Sequence, residues 1–388
     1  MKEYLICHYA EIGLKGNNRG FFENQLKKNI RNSWPDFDFE KIKTISKRII
    51  LEIDGLSVEE KIIWQKKLKK IFGIAYFSFA RESKATEKAM AQTGLKLLAE
   101  KDFNSFCVRV QRSDKDFPFT SIEMEKRIGA LILKKTKKKV DLKNPDQILF
   151  VEIIKGHVFV YLEKILGAGG LPVGTAGRAI CLLSDGIDSP VAAWQMMKRG
   201  LEIIFLHFSS YSKDEALALN KVKKIVKELN NYQGQSKLYL IPFKNWQQKV
   251  LKRAGRYGCL LCKRTMLELA ERIAQKEKCF TLVTGDSLGQ VASQTLENMR
   301  AIDKIVNLLI LRPLIGFNKQ EIINLAQKIN TYNLSIIPTK FYCQDILPPH
   351  PITRANLEQL IKLEEEIEIE TESIKKEILS QAQINIFH

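Results

Sequence analysis

Nine consecutive residues, Leu182-Leu183-Ser184-Asp185-Gly186-Ile187-Asp188-Ser189-Pro190, bring together two hydroxyls, two carboxylates and a glycine. An apolar run (Ala179, Ile180, Cys181) precedes them and an amphipathic segment opens at Pro190, the pattern of a strand passing through a phosphate loop into a helix. Main-chain N–H groups of such a turn, the Ser184 and Ser189 hydroxyls and the positive helix end converge on one anion. Gly186 keeps bulk away from the phosphate oxygens. No Gly-Lys-Ser/Thr follows, so the lysine that grips β and γ phosphates in γ-phosphoryl transfer is missing. Adenylation, in which pyrophosphate is the leaving group, fits this pyrophosphate-loop form better. Asp188 is the expected Mg²⁺ ligand, since that ion takes one or two carboxylates together with phosphate. A bare S-x-G-x-D-S also occurs in ordinary turns, and it is the flanking strand and helix that favour an ATP site.

The elements around this loop must hold it rigidly. Strands are expected at Arg178–Leu183, Glu202–Phe208, Lys237–Ile241 and Cys279–Thr284, alternating with helices at Pro190–Arg199, Glu215–Leu229 and Cys262–Lys276. That alternation predicts a doubly wound parallel sheet with its ligand outside the carboxyl ends of the strands. The rule selects His207 and Phe208 for adenine, Gly285 and Asp286 after a later strand, Arg264 for charge on phosphorus and Gln294 as a donor to the nucleotide. A core histidine is the competing reading of His207.

The 388 residues suffice for two or three domains, and 45% hydrophobic residues are ample for cores. No apolar run approaches a membrane span and no signal-peptide region opens the chain, so a cytoplasmic protein without membrane contact is expected. Seven cysteines, an odd number in a long chain, argue for thiols or metal ligands over a disulfide framework. The net charge of +18 divides into +11 for residues 1–170, +11 for 171–353 and −4 for 354–388. A polyanion partner accounts for this, because each neutralised phosphate releases counterions; solvated lysine-rich faces are the plainer alternative.

Local clusters favour nucleic acid. Lysines crowd 66–70 and 134–139, and Arg109 and Arg112 lie on the alternating strand Phe106–Arg112. Residues 1–80 read as a small α+β unit with strands at Glu3–Tyr9, Arg48–Ile53 and Ile71–Ala80 and helices from about Phe21 and from Ser57, where Glu60 completes a capping box. Residues 81–166 follow with helices at Glu87–Glu100 and Ser121–Lys135 and a hairpin turning at Lys155-Gly156. A Gly-rich linker is expected at 167–176, an ATP domain at 177–353 and an acidic helical tail at 354–388, packed on the ATP domain or on a second subunit.

Several separated motifs now resemble one family, the tRNA 4-thiouridine synthetases (ThiI). They are Glu11-Ile12-Gly13-Leu14-Lys15-Gly16-Asn17, Gly169-Gly170-Leu171-Pro172-Val173-Gly174, the Ser184 loop, the run from Thr284 to Asn298, Arg312-Pro313-Leu314-Ile315-Gly316 and the Cys343 segment ending at His350-Pro351. The resemblance implies a multidomain α/β protein: a ferredoxin-like α+β domain, a THUMP RNA-binding domain and a pyrophosphate-loop domain. It implies ATP-dependent conversion of uridine 8 of tRNA to 4-thiouridine, by adenylation of O4 followed by sulfur transfer, in a homodimer. Nucleotide contacts carry over to Leu182, Leu183, His207, Phe208, Arg264, Gly285 and Gln294, beside Ser184, Asp185, Gly186, Ile187, Asp188 and Ser189. RNA contacts are expected from Lys15, Arg109, Arg112, Lys134, Lys135, Lys137 and Lys138. A 2-thiolating pyrophosphate-loop enzyme and a non-catalytic THUMP protein are the alternatives.

Three departures from the commoner pattern matter. Asp185 replaces a glycine and is expected to add a carboxylate near the phosphates. The chain is expected to lack the rhodanese-like domain of some bacterial members and so to use another sulfur route, from sulfide or a cysteine desulfurase. Cys259, Cys262 and Cys343 match the three-cysteine set of methanogen members associated with an iron–sulfur cluster, [4Fe-4S] or [3Fe-4S], since three thiolates leave one iron open. Lys263 and Arg264 are expected to favour the thiolates. Competing readings are buried apolar cysteines, structural zinc, or a Cys343 persulfide relay. Cys343 and Asp188 are the expected catalytic residues. Cys7, Cys107, Cys181 and Cys279 are expected in the core.

Overall fold

The computed structural model describes residues 2–34, 42–53, 55–114, 116–211, 215–340 and 350–388, without the side chains of 368–370. The expected catalytic residue Cys343 lies outside the described residues. The chain divides into two compact units, Met1–Pro172 and Val173–His388.

The first unit is built on one nine-stranded sheet. Its strands are β1 (Glu3–His8), β2 (Ile42–Ile45), β3 (Arg48–Glu52), β4 (Tyr76–Ser83), β5 (Ser105–Arg112), β6 (Lys139–Val140), β7 (Gln147–Ile154), β8 (His157–Tyr161) and β9 (Ile165–Leu166); its helices are α1 (Arg19–Ser33), α2 (Val58–Leu68), α3 (Glu87–Leu98) and α4 (Ser121–Thr136). The order is β2-β3-β1-β4-β8-β7-β5-β6, with β9 on β4. Residues 80 and 81, where two domains were expected to meet, both lie inside β4, which pairs β1 on one side and β8 on the other. Period-two alternation explains the two faces of β5: Phe106, Val108 and Val110 enter the core with Ile128 and Ile132 of α4, whereas Arg109 and Gln111 turn out. The expected box at α2 is formed, Glu60 N donating to Ser57 Oγ and Ser57 N to Glu60 Oε2.

The Gly-rich stretch after β9 is not a free linker in its first half. Gly167 N donates to Ala75 O, Gly169 N to Ile74 O and Gly73 N to Gly169 O. A Cβ at Gly167 would sit 2.3 Å from the Ile74 carbonyl oxygen, so only glycine lets the strand approach.

The second unit holds β10 (Arg178–Leu182), β11 (Glu202–Ser209), β12 (Ser236–Pro242), β13 (Thr281–Val283), β14 (Leu309–Leu311) and β15 (Gln383–Phe387) in the order β14-β13-β10-β11-β12-β15. All pairings are parallel except β12 with β15. Around it pack α5 (Asp188–Lys198), α6 (Glu215–Gln233), α7 (Lys244–Ala254), α8 (Gly258–Lys276), α9 (Leu296–Asp303), α10 (Lys319–Lys328), α11 (Tyr332–Ser335) and α12 (Leu357–Ser380). Strand order reverses at β10, flanked by β11 and β13, so the binding crevice opens at their carboxyl ends.

The acidic tail is part of this unit. Leu360, Ile367, Ile374 and Ile378 of α12 enter the core beside Trp246, Val250, Leu267 and Ile273. Flanking those apolar residues, the helix pairs charge with α8, through Glu364 with Arg264, Glu372 with Arg272 and Lys375 with Glu268. β15 then covers the edge of β12, which would otherwise present unpaired N–H and C=O groups.

Candidate nucleotide site

The loop between β10 and α5 is preformed by its own serines. Ser189 Oγ accepts from Ser184 N at 2.8 Å and lies 2.9 Å from Ser184 Oγ, which in turn accepts from Gly186 N at 3.3 Å. The hydroxyls expected to converge on an anion thus hold the turn open for one. At Gly186 an added Cβ would meet only Ser184 Oγ, at 3.4 Å, so the protein itself leaves room there. The tight position is Gly285, after β13, where a Cβ would lie 2.7 Å from Ser189 N.

Two adjoining cavities open beside this loop. One, of about 260 Å³, is walled by Leu182, Ser184, Asp188, Ser189, Lys263, Met266, Leu267, Thr284, Gly285, Asp286, Gln294, Ile302 and Arg312. The other, of about 140 Å³, is largely apolar and is walled by Leu182, Leu183, Ser184, Leu206, His207, Phe208 and Met266. A polar half for phosphates beside an apolar half for a base is the division a nucleotide needs.

Charge in the polar half is arranged around two carboxylates. Asp286 accepts from Lys263 Nζ at 3.0 Å, Thr284 Oγ1 at 2.7 Å, Gln294 Nε2 at 3.1 Å and Arg312 Nε at 3.3 Å. Burial pushes its carboxyl up, but the Lys263 ammonium and the hydrogen bonds outweigh burial and hold it well below the ordinary carboxylate range. Asp286 is therefore an anchor for two cations that also face the cavity. Gln294 Oε1 is buried there with no hydrogen-bond partner among the described residues, an acceptor aimed at a space that a ligand donor would satisfy.

Asp188 opens α5 and accepts from Lys319 Nζ at 2.6 Å and Gln290 Nε2 at 2.9 Å. Lys319, the first residue of α10, thus brings to the loop the ammonium missing from the loop sequence. It is 131 residues away, and no local pattern marked it. Arg312 and Lys263 were named in other roles, and their pairing with Asp286 at this cavity was missed because their sequence positions are also separate from it.

His207 sits at the end of β11, 1% exposed. Its Nδ1 lies 2.8 Å from the Leu183 carbonyl and its Nε2 3.0 Å from Tyr211 Oη. That geometry assigns the proton to Nδ1, with Tyr211 donating to Nε2. Burial lowers its pKa despite the Leu183 carbonyl and the carboxylates of Asp185 and Glu215, so the ring is neutral and props the wall of the apolar cavity.

Three expectations need correction. Arg264 does not wall either cavity: it is 3% exposed, its Nε donates to both Glu364 oxygens at 3.0 and 3.1 Å, and Nη1 donates to Ala301 O. The acidic tail supplies the counter-ion, so this guanidinium fastens α12 to α8 instead of facing phosphorus. Asp185 does not wall the cavity either; its carboxylate is buried against Lys221 of α6, 3.2 Å away. Nor do the basic neighbours make Cys259 a ready thiolate. Burial pushes that thiol up and the Lys263 ammonium offsets this only in part, because Lys263 is committed to Asp286 and Arg264 to Glu364.

Cys259 and Cys262 stand one turn apart at the start of α8, both half-buried, with Gln247 Nε2 donating to Cys262 Sγ at 3.3 Å. Among the described residues no group of three metal-ligating side chains gathers. Cys7, Cys107, Cys181 and Cys279 are buried in strands or strand ends, as expected. In the first unit, Lys134 and Lys135 are exposed at the end of α4, Lys137 ends it in a left-handed conformation and Lys138 lies over the Phe103 ring. Lys15 lies over Phe22. Arg109 and Arg112 are partly occupied, donating to the carbonyls of Leu142 and Phe117.

With this geometry in place, comparison with known proteins decides the family. Residues 174–369 match the family described as thiamine biosynthesis protein (ThiI), residues 4–78 the ThiI ferredoxin-like domain and residues 84–163 the THUMP domain. The chain belongs to the ThiI family. A probable tRNA sulfurtransferase of Thermoanaerobacter sp. (strain X514) is 42% identical over 95% of this chain and 96% of its own length. A probable tRNA sulfurtransferase of the archaeon Methanocaldococcus jannaschii is 36% identical over 95% of this chain and 98% of its own. A 4-thiouridine synthetase solved in complex with RNA and with ATP bound superposes with a TM-score of 0.89 at 33% identity, over all of both chains. The ferredoxin-like, THUMP and pyrophosphate-loop fold expected from the sequence is thereby shown.

Proposed function

We propose that this ThiI protein uses ATP to convert uridine 8 of tRNA to 4-thiouridine. The observation that carries the reading is the switch-point crevice, where a preformed pyrophosphate loop, two carboxylates and two cations wall one cavity and a third cation, Lys319, is held on Asp188. Such a site neutralises a triphosphate whose pyrophosphate departs. The relatives named tRNA sulfurtransferase and the RNA- and ATP-bound 4-thiouridine synthetase support the substrate.

In this reading uridine O4 attacks the α phosphorus, the bond to pyrophosphate breaks, and O4 becomes part of a good leaving group. A sulfur nucleophile then adds at C4 and AMP departs with the original oxygen. Lys319 and Arg312 stabilise the departing pyrophosphate, the 184–189 amides cradle it, and His207 and Phe208 enclose the base. Mg²⁺ suits Asp188, a hard oxygen donor on the cavity wall, and when bound it would neutralise phosphate charge there. Asp286, saturated by cations, is not its ligand.

Cys259 and Cys262 present two soft sulfur donors from one helical turn, which suits an iron–sulfur cluster completed by Cys343; such a cluster would offer an open iron for sulfide. A Cys343 persulfide is the second version. The sulfur comes from sulfide in the cluster version and, as sulfane sulfur, from a cysteine desulfurase in the persulfide version; the RNA is held by the first unit through lysines such as Lys134, Lys135, Lys137 and Lys138, and the working form is a cytoplasmic homodimer. In both versions Cys343→Ala abolishes thiolation while tRNA-dependent pyrophosphate release persists, read by mass analysis of tRNA nucleosides alongside a pyrophosphate assay. Wild-type thiolation by that variant would overturn both.

A further inference from the structure

Asp185 stands inside the phosphate loop yet turns its carboxylate away from the nucleotide cavity. It is 4% exposed, as is Lys221 of α6, and the two form a buried pair at 3.2 Å. An isolated buried pair is a costly way to hold a turn, since desolvation offsets most of the attraction. Here the pair has further partners. Lys221 Nζ also donates to the Ile337 carbonyl at 2.8 Å, and Thr339 Oγ1 donates to the same Asp185 oxygen, Oδ2, that faces Lys221. Residues 337 and 339 follow α11 and are themselves exposed or half-exposed, so the buried pair is their polar anchor to the unit. In sequence, Cys343 comes four residues after Thr339.

We infer that Asp185 and Lys221 are positioning residues that link the phosphate loop to residues 337–340, so that nucleotide in the loop fixes the placement of residues 337–340, which precede Cys343 in sequence. The inference rests on the proposed thiolation only for its consequence; the link itself is a property of described residues. A loop that binds pyrophosphate must hold its backbone amides in one arrangement, and Asp185 rides on that backbone. Any shift of the loop is therefore passed through one carboxylate to Lys221 and Thr339. The network is discrete: one acceptor oxygen, one ammonium and two attachments, at residues 337 and 339. Adenylation needs only the cavity side of the loop, whereas sulfur delivery needs both sides.

The test uses the full chain and Lys221→Met, with Asp185→Asn as a second variant that keeps an acceptor for Thr339 and removes only the charge. Amide hydrogen exchange at 336–340 is followed with and without saturating ATP analogue. The wild type should show slower exchange on nucleotide binding, at least about threefold, and both variants should lose this protection while still binding the analogue. With tRNA, ATP and sulfide, thiolation by Lys221→Met should fall about tenfold or more while its pyrophosphate release changes less than about threefold, and Lys221→Arg should recover part of the loss. Equal loss of both steps, unchanged protection at 336–340, or variants that do not fold would overturn the link and leave the pair a purely structural element. Failure of the wild type to thiolate tRNA, with nucleotide protection intact, would refute the proposed reaction and not the link.

Discussion

Two buried clusters of charge, one in each unit, have opposite designs. In the first unit Glu152 of β7 is 1% exposed and accepts from Arg48 Nε at 2.9 Å and Tyr161 Oη at 2.8 Å, with His8 Nε2 at 3.1 Å. Burial raises that carboxyl, and His8, Arg48 and Tyr161 together bring it below its ordinary range. Every strong partner comes from the same sheet, and His8 stacks on Tyr76 with ring centroids 4.1 Å apart. In the second unit Asp286 is similarly saturated, but its cations Lys263 and Arg312 face a cavity and Gln294 Oε1 beside them lacks a partner among the described residues. A closed network stitches β1, β3, β7 and β8 into one sheet; an open one waits for an anion. Burial of charge alone marks neither role, and what separates them is whether the partners face a cavity.

The sharpest way to break this contrast is to remove Glu152 from the closed network and, separately, Asp188, the second carboxylate on the wall of the open cavity. Asp188→Ala should lower tRNA-dependent pyrophosphate release by about 100-fold or more, a loss of the order seen when a preorganised charge-stabilising group is deleted, with the melting temperature nearly unchanged. Glu152→Ala should do the reverse: stranding Arg48 and His8 in the sheet costs roughly 3–5 kcal/mol of stability in the first unit, read by denaturant unfolding, while ATP binding by the second unit persists. If Glu152→Ala abolished ATP binding as Asp188→Ala does, the division of roles would be wrong.

Gly285→Ala sharpens the picture from packing. A Cβ 2.7 Å from Ser189 N must push the loop after β13 off the start of α5, at a cost of about 1–3 kcal/mol, and nucleotide affinity should drop with stability. Gly186→Ala, which meets only the Ser184 hydroxyl, should leave stability within about 1 kcal/mol and lose nucleotide affinity alone. Equal melting temperatures for the two variants would contradict the assignment of Gly285 as the tight contact.

The smallest effect concerns His207. Its folded pKa is lowered, so as pH falls below the ordinary histidine value of about 6.5 the unfolded chain takes up a proton that the folded ring refuses. Stability of the second unit should therefore be complete above that pH and decline below it. His207→Gln should flatten this limb by up to about 1 kcal/mol, measured by urea unfolding between neutral and mildly acid pH.

What could be read from sequence was what lies contiguous in the chain. The 182–190 loop, the alternation around it, the capping box at Ser57 and the α12 helix were all legible because their partners are within a few residues. Lys319 on Asp188, Arg312 on Asp286 and Lys221 on Asp185 join positions 26 to 131 residues apart, and no local pattern announces such pairs. β15 was missed because Gln383–Phe387 is short and becomes a strand only against the edge of β12. Arg264 was assigned to phosphate from its place on the helix after Gly258, and its counter-ion Glu364, 100 residues on, decided otherwise. The α7 helix could have been found: Trp246, Val250 and Ala254 recur at helical spacing.

The central claim is that ATP turns uridine O4 into a leaving group. Unmodified tRNA carrying ¹⁸O at that position, incubated with the protein, ATP and sulfide, tests it through the mass of the products. The account predicts one ¹⁸O in each AMP released, in step with the thiolated nucleoside formed. Label recovered instead in inorganic phosphate or in water, with AMP unlabelled, would contradict it.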